Sequence, residues 1–281
     1  MNQYRRWFLL VAASGLLLNA VRAVARPLTV RVERWLELQR MTGSVQFINS
    51  GGQNRPATLG TRLQSVGEGV QTGTRSSAVL AVDTQIGFVL VEQNTALRIV
   101  QMRTTSSGGR ITRLSVDRGQ ARLRVRPFNN PDSQLEIITP AGVSGVRGTE
   151  FGVSVQPNGK TGVATLEGRV VASAQGESIA LTDATQSLII PGEAPLPPSP
   201  LTDDPSLVIA VLRIGPRTDG DRIVQLVGQT DPVNLLVVNG EIQPTDRAGA
   251  FDLRLQISGR RLRANVITPL GTEEAYDLVA R

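Results

Sequence analysis

The chain has 281 residues, of which 40% are hydrophobic and 19% are charged, and its formal net charge is +6. This composition is typical of a folded globular protein with one large domain or two ordinary ones. The sequence contains no histidine and no cysteine, which excludes histidine-based triads, cysteine nucleophiles, and thiolate or imidazole metal sites. Lys160 is the only lysine, so a lysine-based mechanism would depend on that residue alone. Carboxylate pairs and metal sites with oxygen ligands remain, but no such cluster stands out in the sequence. We expect no enzymatic activity, no cofactor and no metal site, and a hydrolase with a converging carboxylate pair is the alternative.

The first 25 residues have the pattern of a secretory signal. Arg5 and Arg6 precede an apolar run at residues 7–18, and the small residues at 23–25 (AVA) offer a cleavage point. The run is shorter than the about 20 residues that span a bilayer. We therefore predict a cleaved signal peptide at 1–25 and a protein that is periplasmic, secreted or located at the outer envelope. An uncleaved anchor is the alternative, and only that anchor would contact a membrane.

Beyond the signal, the apolar residues alternate with polar ones in short runs, and no segment shows a helical apolar period. The pattern predicts an all-β fold, a twin-layered sandwich or a solenoid-like stack of sheets. The predicted strands cover residues 28–38, 44–48, 78–82, 88–91, 96–102, 111–116, 121–125, 135–138, 151–155, 162–166, 170–173 and 187–190. Short extended pieces are also expected around Leu63 and Val70.

Two features of these strands are candidate binding surfaces. Trp35, in VERWLEL, is the aromatic residue that we would test as an exposed platform for a sugar ring, although burial in the core is the alternative. Alternation places Arg122, Arg124 and Arg126 on one strand face. That face is either simply solvated or binds an anionic glycan, a lipid headgroup or a nucleic acid. Loss of the signal would remove three arginines and lower the net charge from +6 to +3, so we expect no nucleic-acid partner.

The most informative stretch is TPAGVSGVRGTEFGVSVQPNGKTGVATLEG at residues 139–168. It predicts short strands separated by glycine turns, with Asn158-Gly159 as a hairpin. Gly145 and Gly148 bracket Arg147, and glycine inside extended segments marks a bulge or a close backbone approach. Arg147 is expected to brace neighbouring carbonyls or to pair with Glu150 or Glu167. The alternative is that Arg147 binds an acidic group of a partner protein.

This stretch resembles the end of FecR-type domains, which carry TP-x-A/G-x-V-x-V-R-G-T-x-F and then E-G-x-V. The matching residues are Thr139, Pro140, Gly142, Val143, Val146, Arg147, Gly148, Thr149, Phe151, Glu167, Gly168 and Val170. We interpret the motif residues Thr139, Pro140, Gly145, Arg147, Gly148, Thr149, Phe151 and Gly168 as structural.

Residues 191–206, PGEAPLPPSPLTDDPS, are rich in proline, which favours extended geometry and a linker between domains. The sequence thus predicts a FecR-like domain at 30–190, a linker at 191–206 and a second domain at 207–281. The last segment resembles small bacterial immunoglobulin-like modules, which are β-sandwiches. The resemblance rests on turn residues: Gly228, Thr230, Pro232, Asn239, Gly240, Gly249, Phe251, Gly259, Pro269 and Gly271.

The FecR resemblance implies an envelope protein that acts through a protein partner, as a scaffold or signalling accessory. The alternative is a module that binds peptidoglycan or another glycan. In FecR regulators, a cytoplasmic segment controls a sigma factor in response to iron uptake. Only about six residues precede the apolar run here, so we expect that direct role to be absent.

Overall fold

The computed structural model describes residues 34–83, 86–218 and 221–279. All regular elements in these ranges are β-strands, so the predicted all-β class is confirmed. The described residues belong to one compact unit, residues 33–281. None of them forms a helix long and apolar enough to cross a bilayer. The predicted signal and the first part of the predicted strand at 28–38 lie outside the described residues.

The first part of the chain forms seventeen strands in two layers. They are β1 (Leu36–Thr42), β2 (Val45–Ile48), β3 (Asn54–Pro56), β4 (Arg62–Leu63), β5 (Gly69–Thr72), β6 (Ser77–Val82), β7 (Gly87–Val91), β8 (Ala96–Thr104), β9 (Arg110–Val125), β10 (Gln134–Ile138), β11 (Val143–Val146), β12 (Thr149–Val155), β13 (Thr161–Glu167), β14 (Val170–Ala174), β15 (Glu177–Leu181), β16 (Thr185–Ile189) and β17 (Ser199–Pro200).

The two layers share strand β9. Its second half joins β1, β4, β6, β7, β12, β13, β16 and β17 in what we call the front sheet. Its first half joins β2, β3, β5, β8, β10, β11, β14 and β15 in the back sheet. The sequence predicted two separate strands here, and that division is wrong. Gly119, with φ +93°, allows the backbone to bend where β9 leaves one sheet for the other.

The core lies between the front and back sheets and consists mainly of aliphatic residues, with the phenyl rings of Phe47 and Phe151 among them. Leu80, Leu123 and Phe151 of the front sheet and Ile99 and Ile137 of the back sheet are fully or almost fully buried. The alternating residues that point away from this core form the two outer faces. These outer faces are therefore the surfaces on which a partner could bind.

The C-terminal part forms a smaller sandwich of two antiparallel sheets. The three-stranded sheet holds β18 (Leu207–Thr218), β19 (Asp221–Thr230) and β22 (Ala250–Ile257), and the four-stranded sheet holds β20 (Leu235–Val238), β21 (Glu241–Gln243), β23 (Arg261–Ile267) and β24 (Glu273–Val279). Leu226 and Phe251 pack against Leu236 and Val266 of the facing sheet. The immunoglobulin-like assignment of this sandwich stays a prediction.

The proline-rich segment at 191–206 is fixed to both parts of the fold. Ser199–Pro200 pairs with the edge of the front sheet, a position that tolerates proline. The two carboxylate oxygens of Asp203 accept hydrogen bonds from Thr268 and Thr272, at 2.5 and 2.7 Å. The segment is held by these contacts, whereas an extended linker alone was expected. The proposed domain boundary itself stays a prediction.

The C-terminal sandwich packs on the outer face of the hairpin β12–β13. The side chain of Gln156 donates to the carbonyl of Asn234 and accepts from the backbone of Thr245, at 3.0 and 2.8 Å. Gln120 donates to the carbonyl oxygen of Pro269 at 2.6 Å. This docking buries both faces of the hairpin, so part of the front sheet is closed to other partners.

Lys160 lies buried at this contact, and its ammonium group donates to Thr245 and to the carbonyl oxygen of Asp246, at 2.6 and 2.5 Å. Burial is the main cause that lowers the pKa of Lys160 to about 8, and the carboxylates of Asp246 and Asp231 oppose it. A lysine that serves as a catalytic base or forms a Schiff base must reach substrate. This amine is instead held between the two sandwiches.

The depressed pKa predicts a pH dependence of stability. Between about pH 8 and the ordinary lysine pKa of about 10.4, the unfolded chain binds a proton that the folded chain has released. The free energy of unfolding should therefore rise with pH in this window, by on the order of 2–3 kcal/mol relative to a Lys160→Met variant. Urea unfolding of both proteins from pH 7 to pH 10.5 measures this difference, and parallel pH profiles would contradict it.

Candidate functional site

The FecR-like motif borders a groove on the outer face of the back sheet. Strands β10, β11 and β14 lie side by side there, with Glu136 opposite Gly145 and Gly145 opposite Val171. The groove has a volume of about 460 Å³. Its lining, which we call the motif groove, consists of Gln134, Glu136, Val143, Gly145, Val146, Arg147, Arg169, Val171 and Ser173.

Gly145 lies in the middle of the groove floor. A Cβ atom at this position would lie 3.7 Å from Cγ of Glu136 and 4.0 Å from the carbonyl oxygen of Val171, which are ordinary contact distances. Its φ is not positive. Neither the backbone nor its neighbours therefore require a glycine, contrary to the expected bulge or close approach. The missing side chain leaves the groove open.

Arg147 and Arg169 lie at one end of the motif groove, and both are exposed. Neither guanidinium group makes a hydrogen bond or an ion pair with a described residue. The expected pairing of Arg147 with Glu150 or Glu167 is not observed, because Glu150 accepts from Arg122 instead. The groove thus carries two positive charges that no described residue neutralises.

The acidic residue of the groove is already paired. Arg113 donates to the carboxylate of Glu136 at 2.6 Å. That pair lies across the β9–β10 contact, where Arg113 and Glu136 are directly opposite each other. The excess charge at the groove is therefore positive, and it is concentrated at Arg147 and Arg169.

The neighbouring motif residues hold the strands that form the groove. Gly148 has a φ of +132°, and a Cβ atom there would overlap Cα of Pro127. The buried hydroxyl of Thr149 donates to the backbone carbonyl of Arg169 at 3.1 Å. Phe151 is fully buried in the core. Together these residues fix the start of β12 against the start of β14.

The rest of the motif stabilises turns. Thr139 exchanges hydrogen bonds with the backbone of Gly142, and Pro140 lies exposed in that turn. The backbone amide of Gly168 donates to a carboxylate oxygen of Asp183 at 2.5 Å. None of these three motif residues lines the motif groove.

The predicted arginine face lies on the front sheet, and its three arginines differ. Arg122 donates to Glu150 and, at 3.0 Å, to the backbone carbonyl of Leu270 in the C-terminal sandwich. Arg124 is 80% exposed and lies 3.7 Å from the same carboxylate. Arg126 is exposed. Arg122 is thus a structural residue of the docking contact, and the face is partly neutralised.

A second groove, of about 620 Å³, lies on this front face. It is lined by Arg40, Met41, Thr42, Ser77, Val79, Phe88, Leu90, Arg122, Arg124 and Glu150. Its acid has Arg122 and Arg124 within 4 Å, whereas the third arginine, Arg40, makes no ion pair with a described residue. We take the motif groove as the candidate for an anionic partner because the FecR-like motif forms it, whereas Arg122 of the second groove is held in the docking contact.

Trp35 is half-buried, and one face of its ring is covered. The guanidinium carbon of Arg62 lies 4.3 Å from the centre of the ring, and Arg62 also binds the carboxylate of Glu37 at 2.8 Å. The indole therefore packs against a cation of its own chain. The described residues also hold no group of acids arranged to bind a metal ion.

Part of the chain, which includes most of the motif groove, matches the model of a known protein family. Residues 68–171 match the family model named FecR protein. The FecR match includes β10, β11 and the hairpin β12–β13, and hence nearly the whole motif groove. It ends before β15 and does not reach the C-terminal sandwich. A search of the curated proteins found no match.

Solved structures give a more distant similarity. Two crystal structures of a candidate anti-sigma factor from Parabacteroides distasonis ATCC 8503 match at 15% identity with a TM-score of 0.40. The match covers 47% of this chain and 58% of that chain. The chain thus spans little more than half of the protein that it matches.

Arg169 is the groove residue that sequence reasoning missed. It occupies the variable position of the E-G-x-V element, between Gly168 and Val170. Alternation could have placed Arg169 and Val171 on the same strand face, away from the buried Val170. The register that brings β14 beside β11 was the information that the sequence lacked.

Proposed function

We propose that this chain is an exported, non-enzymatic FecR-type protein that acts as a scaffold or signalling accessory in the cell envelope by binding a protein partner. One observation carries this proposal: the motif groove, which lies almost entirely within the FecR match, presents two exposed arginines that have no acidic partner among the described residues, beside the exposed Val171. Unpaired guanidinium groups and exposed aliphatic residues together are typical of protein-recognition surfaces. The FecR match supports a regulatory role rather than catalysis.

The envelope location rests on the pattern of residues 1–25 alone. Positive residues, a short apolar run and small residues follow one another there, as in secretory signals. A chain without cysteine has no thiol to be oxidised outside the cytoplasm. A periplasmic part in a FecR-type sigma-factor or iron-uptake pathway is a third, less favoured role.

Proximity labelling tests the proposed function. The full chain, fused at its C-terminus to a labelling peroxidase, should enrich a discrete set of envelope proteins over the same peroxidase exported on its own. The enriched partner should in turn capture this chain when it carries the tag. Labelling of cytoplasmic transcription proteins, or a labelled set identical to that of the exported peroxidase, would overturn the proposal.

The glycan alternative can be tested directly. Purified sacculi should leave the protein in the supernatant, since Trp35 is stacked under Arg62 and the motif groove has no aromatic lining among the described residues. Sedimentation with sacculi that is lost in Trp35→Ala would favour glycan binding instead.

A further inference from the structure

We propose that the motif groove binds an extended peptide segment that presents an acidic residue and aliphatic residues on the same face, two positions apart. This inference rests on the proposed function, because it names the chemistry of the partner at the same site. The charge of the groove, its shape and the chemistry of its floor each support one part of it.

The charge of the groove requires an anion. Arg147 and Arg169 are exposed at one end and have no partner among the described residues, while Glu136 is already paired with Arg113. A guanidinium group presents donors in a fork that matches a carboxylate. A carboxylate that reached both arginines would therefore find donors that no described residue uses.

The floor of the groove favours a peptide over a glycan or a nucleic acid. Val143 and Val171 line it, and Val171 is 40% exposed. No aromatic ring lines the groove within the described part of the chain, so sugars and bases have no surface on which to stack. A groove that tracks a phosphate backbone carries many more basic residues than the two arginines of the motif groove. Aliphatic side chains two and four positions from the acid would lie on the same face of an extended peptide and cover the valines.

The shape of the groove sets how the peptide is held. Strand β11 has neighbours on both sides, β10 and β14, so its backbone has no free edge for an added strand. Recognition must therefore come from side chains that reach into the groove. Gly145 makes room for such a side chain, because the position has no Cβ although the fold would accommodate one.

A binding experiment with a defined probe tests this inference. The probe is a short fluorescein-labelled peptide with aspartate and two valines at every second position and serine between them, and its fluorescence anisotropy is measured against the full chain. Loss of a charged hydrogen bond is worth about 1.5–3 kcal/mol, so Arg147→Gln or Arg169→Gln should weaken binding by about ten-fold or more. Arg118→Gln removes the same charge from an exposed position outside the groove and should change binding by less than about two-fold.

The shape of the groove has its own test. Gly145→Val fills the floor and should abolish binding, while its thermal unfolding stays close to that of the parent chain, because the new Cβ atom meets only ordinary contacts and valine suits a strand. Peptides in which asparagine replaces aspartate, or serine replaces valine, should bind at least about ten-fold more weakly.

Several outcomes would overturn the inference. They are equal binding of the aspartate and asparagine peptides, equal effects of Arg147→Gln and Arg118→Gln, and binding of a sulfated oligosaccharide in place of the peptide. An envelope partner whose capture is insensitive to Arg147→Gln would reject the groove but leave the proposed function standing. Peptide binding that depends on the two arginines, in a chain that captures no envelope partner, would support the groove and reject the proposed function.

Discussion

Replacing Asp83 by asparagine is expected to lower the free energy of unfolding by about 3 kcal/mol or more. Asp83 accepts three hydrogen bonds from Arg34, the shortest at 2.9 Å, and both side chains are 6% exposed. Asparagine tolerates the positive φ of +49° at this position. The substitution thus removes the charge and leaves a buried guanidinium group without its counterion.

The geometry around Arg34 explains the size of this effect. Its guanidinium group also donates to the backbone carbonyls of Arg103 and Ile111 and to the hydroxyl of Thr112, at 2.8, 2.7 and 2.6 Å. One side chain therefore ties the segment before β1 to β8 and β9. Every donor has a partner, which is the condition under which a buried ion pair is tolerated.

Urea unfolding measures the effect, with an exposed pair as the control. Glu37→Gln breaks the pair with Arg62, which is half-exposed, and should cost less than about 1 kcal/mol. The double variant Arg34→Met with Asp83→Asn should be more stable than Asp83→Asn alone, since no charge stays buried. Equal costs for Asp83→Asn and Glu37→Gln would show that the buried pair has no special role.

Replacing Gly152 by valine should have a similarly large effect, at the contact between the two sandwiches. Gly152 lies in β12 on the face that the C-terminal sandwich covers, and a Cβ atom there would overlap the carbonyl oxygen of Pro269. Valine would otherwise suit a strand. We expect a loss of about 3 kcal/mol in the free energy of unfolding, or detachment of the C-terminal sandwich. The reason is that the backbone at Pro269 cannot move away from the new side chain.

Two measurements separate these outcomes. Thermal unfolding reports the loss of stability, and limited proteolysis within residues 191–206 reports detachment. Gly145→Val is the matched control, since it makes the same substitution in a neighbouring strand where a Cβ atom has room. Unchanged unfolding and proteolysis in Gly152→Val would mean that the sandwiches do not dock in this way.

Local patterns in the sequence predicted much of the fold. The Asn158-Gly159 turn joins β12 and β13 as expected, and Gly159 has a φ of +82°. The extended pieces around Leu63 and Val70 are β4 and β5. These features depend on residues within a few positions of each other, so alternation and turn residues suffice to predict them.

The features that sequence reasoning missed depend on distant residues. Strand β9 continues through Gly119 because its two halves pair with different sheets, and a glycine in the sequence gives no sign of that change. The ion pair of Arg34 with Asp83 joins residues 49 positions apart. Neither the continuous strand nor the ion pair can be predicted without knowing which strands lie side by side.

The candidate site shows the same limit. The motif directed attention to Arg147, but its expected partner Glu150 pairs with Arg122, because β9 lies beside β12. Only the register of β14 against β11 shows that Arg169 and Val171 share the groove. The sequence therefore identified Arg147, and only the strand pairing identified Arg169 and Val171 as its neighbours in the groove.

Site-specific photocrosslinking in living cells tests the central claim most directly. A photoreactive residue at Gln134, on the rim of the motif groove, should give a discrete crosslinked protein that disappears when Arg147→Gln is added. The same residue at Val208, which is 66% exposed on the C-terminal sandwich, should give none. Crosslinks from Val208 alone, or crosslinks from Gln134 that persist in Arg147→Gln, would contradict the account.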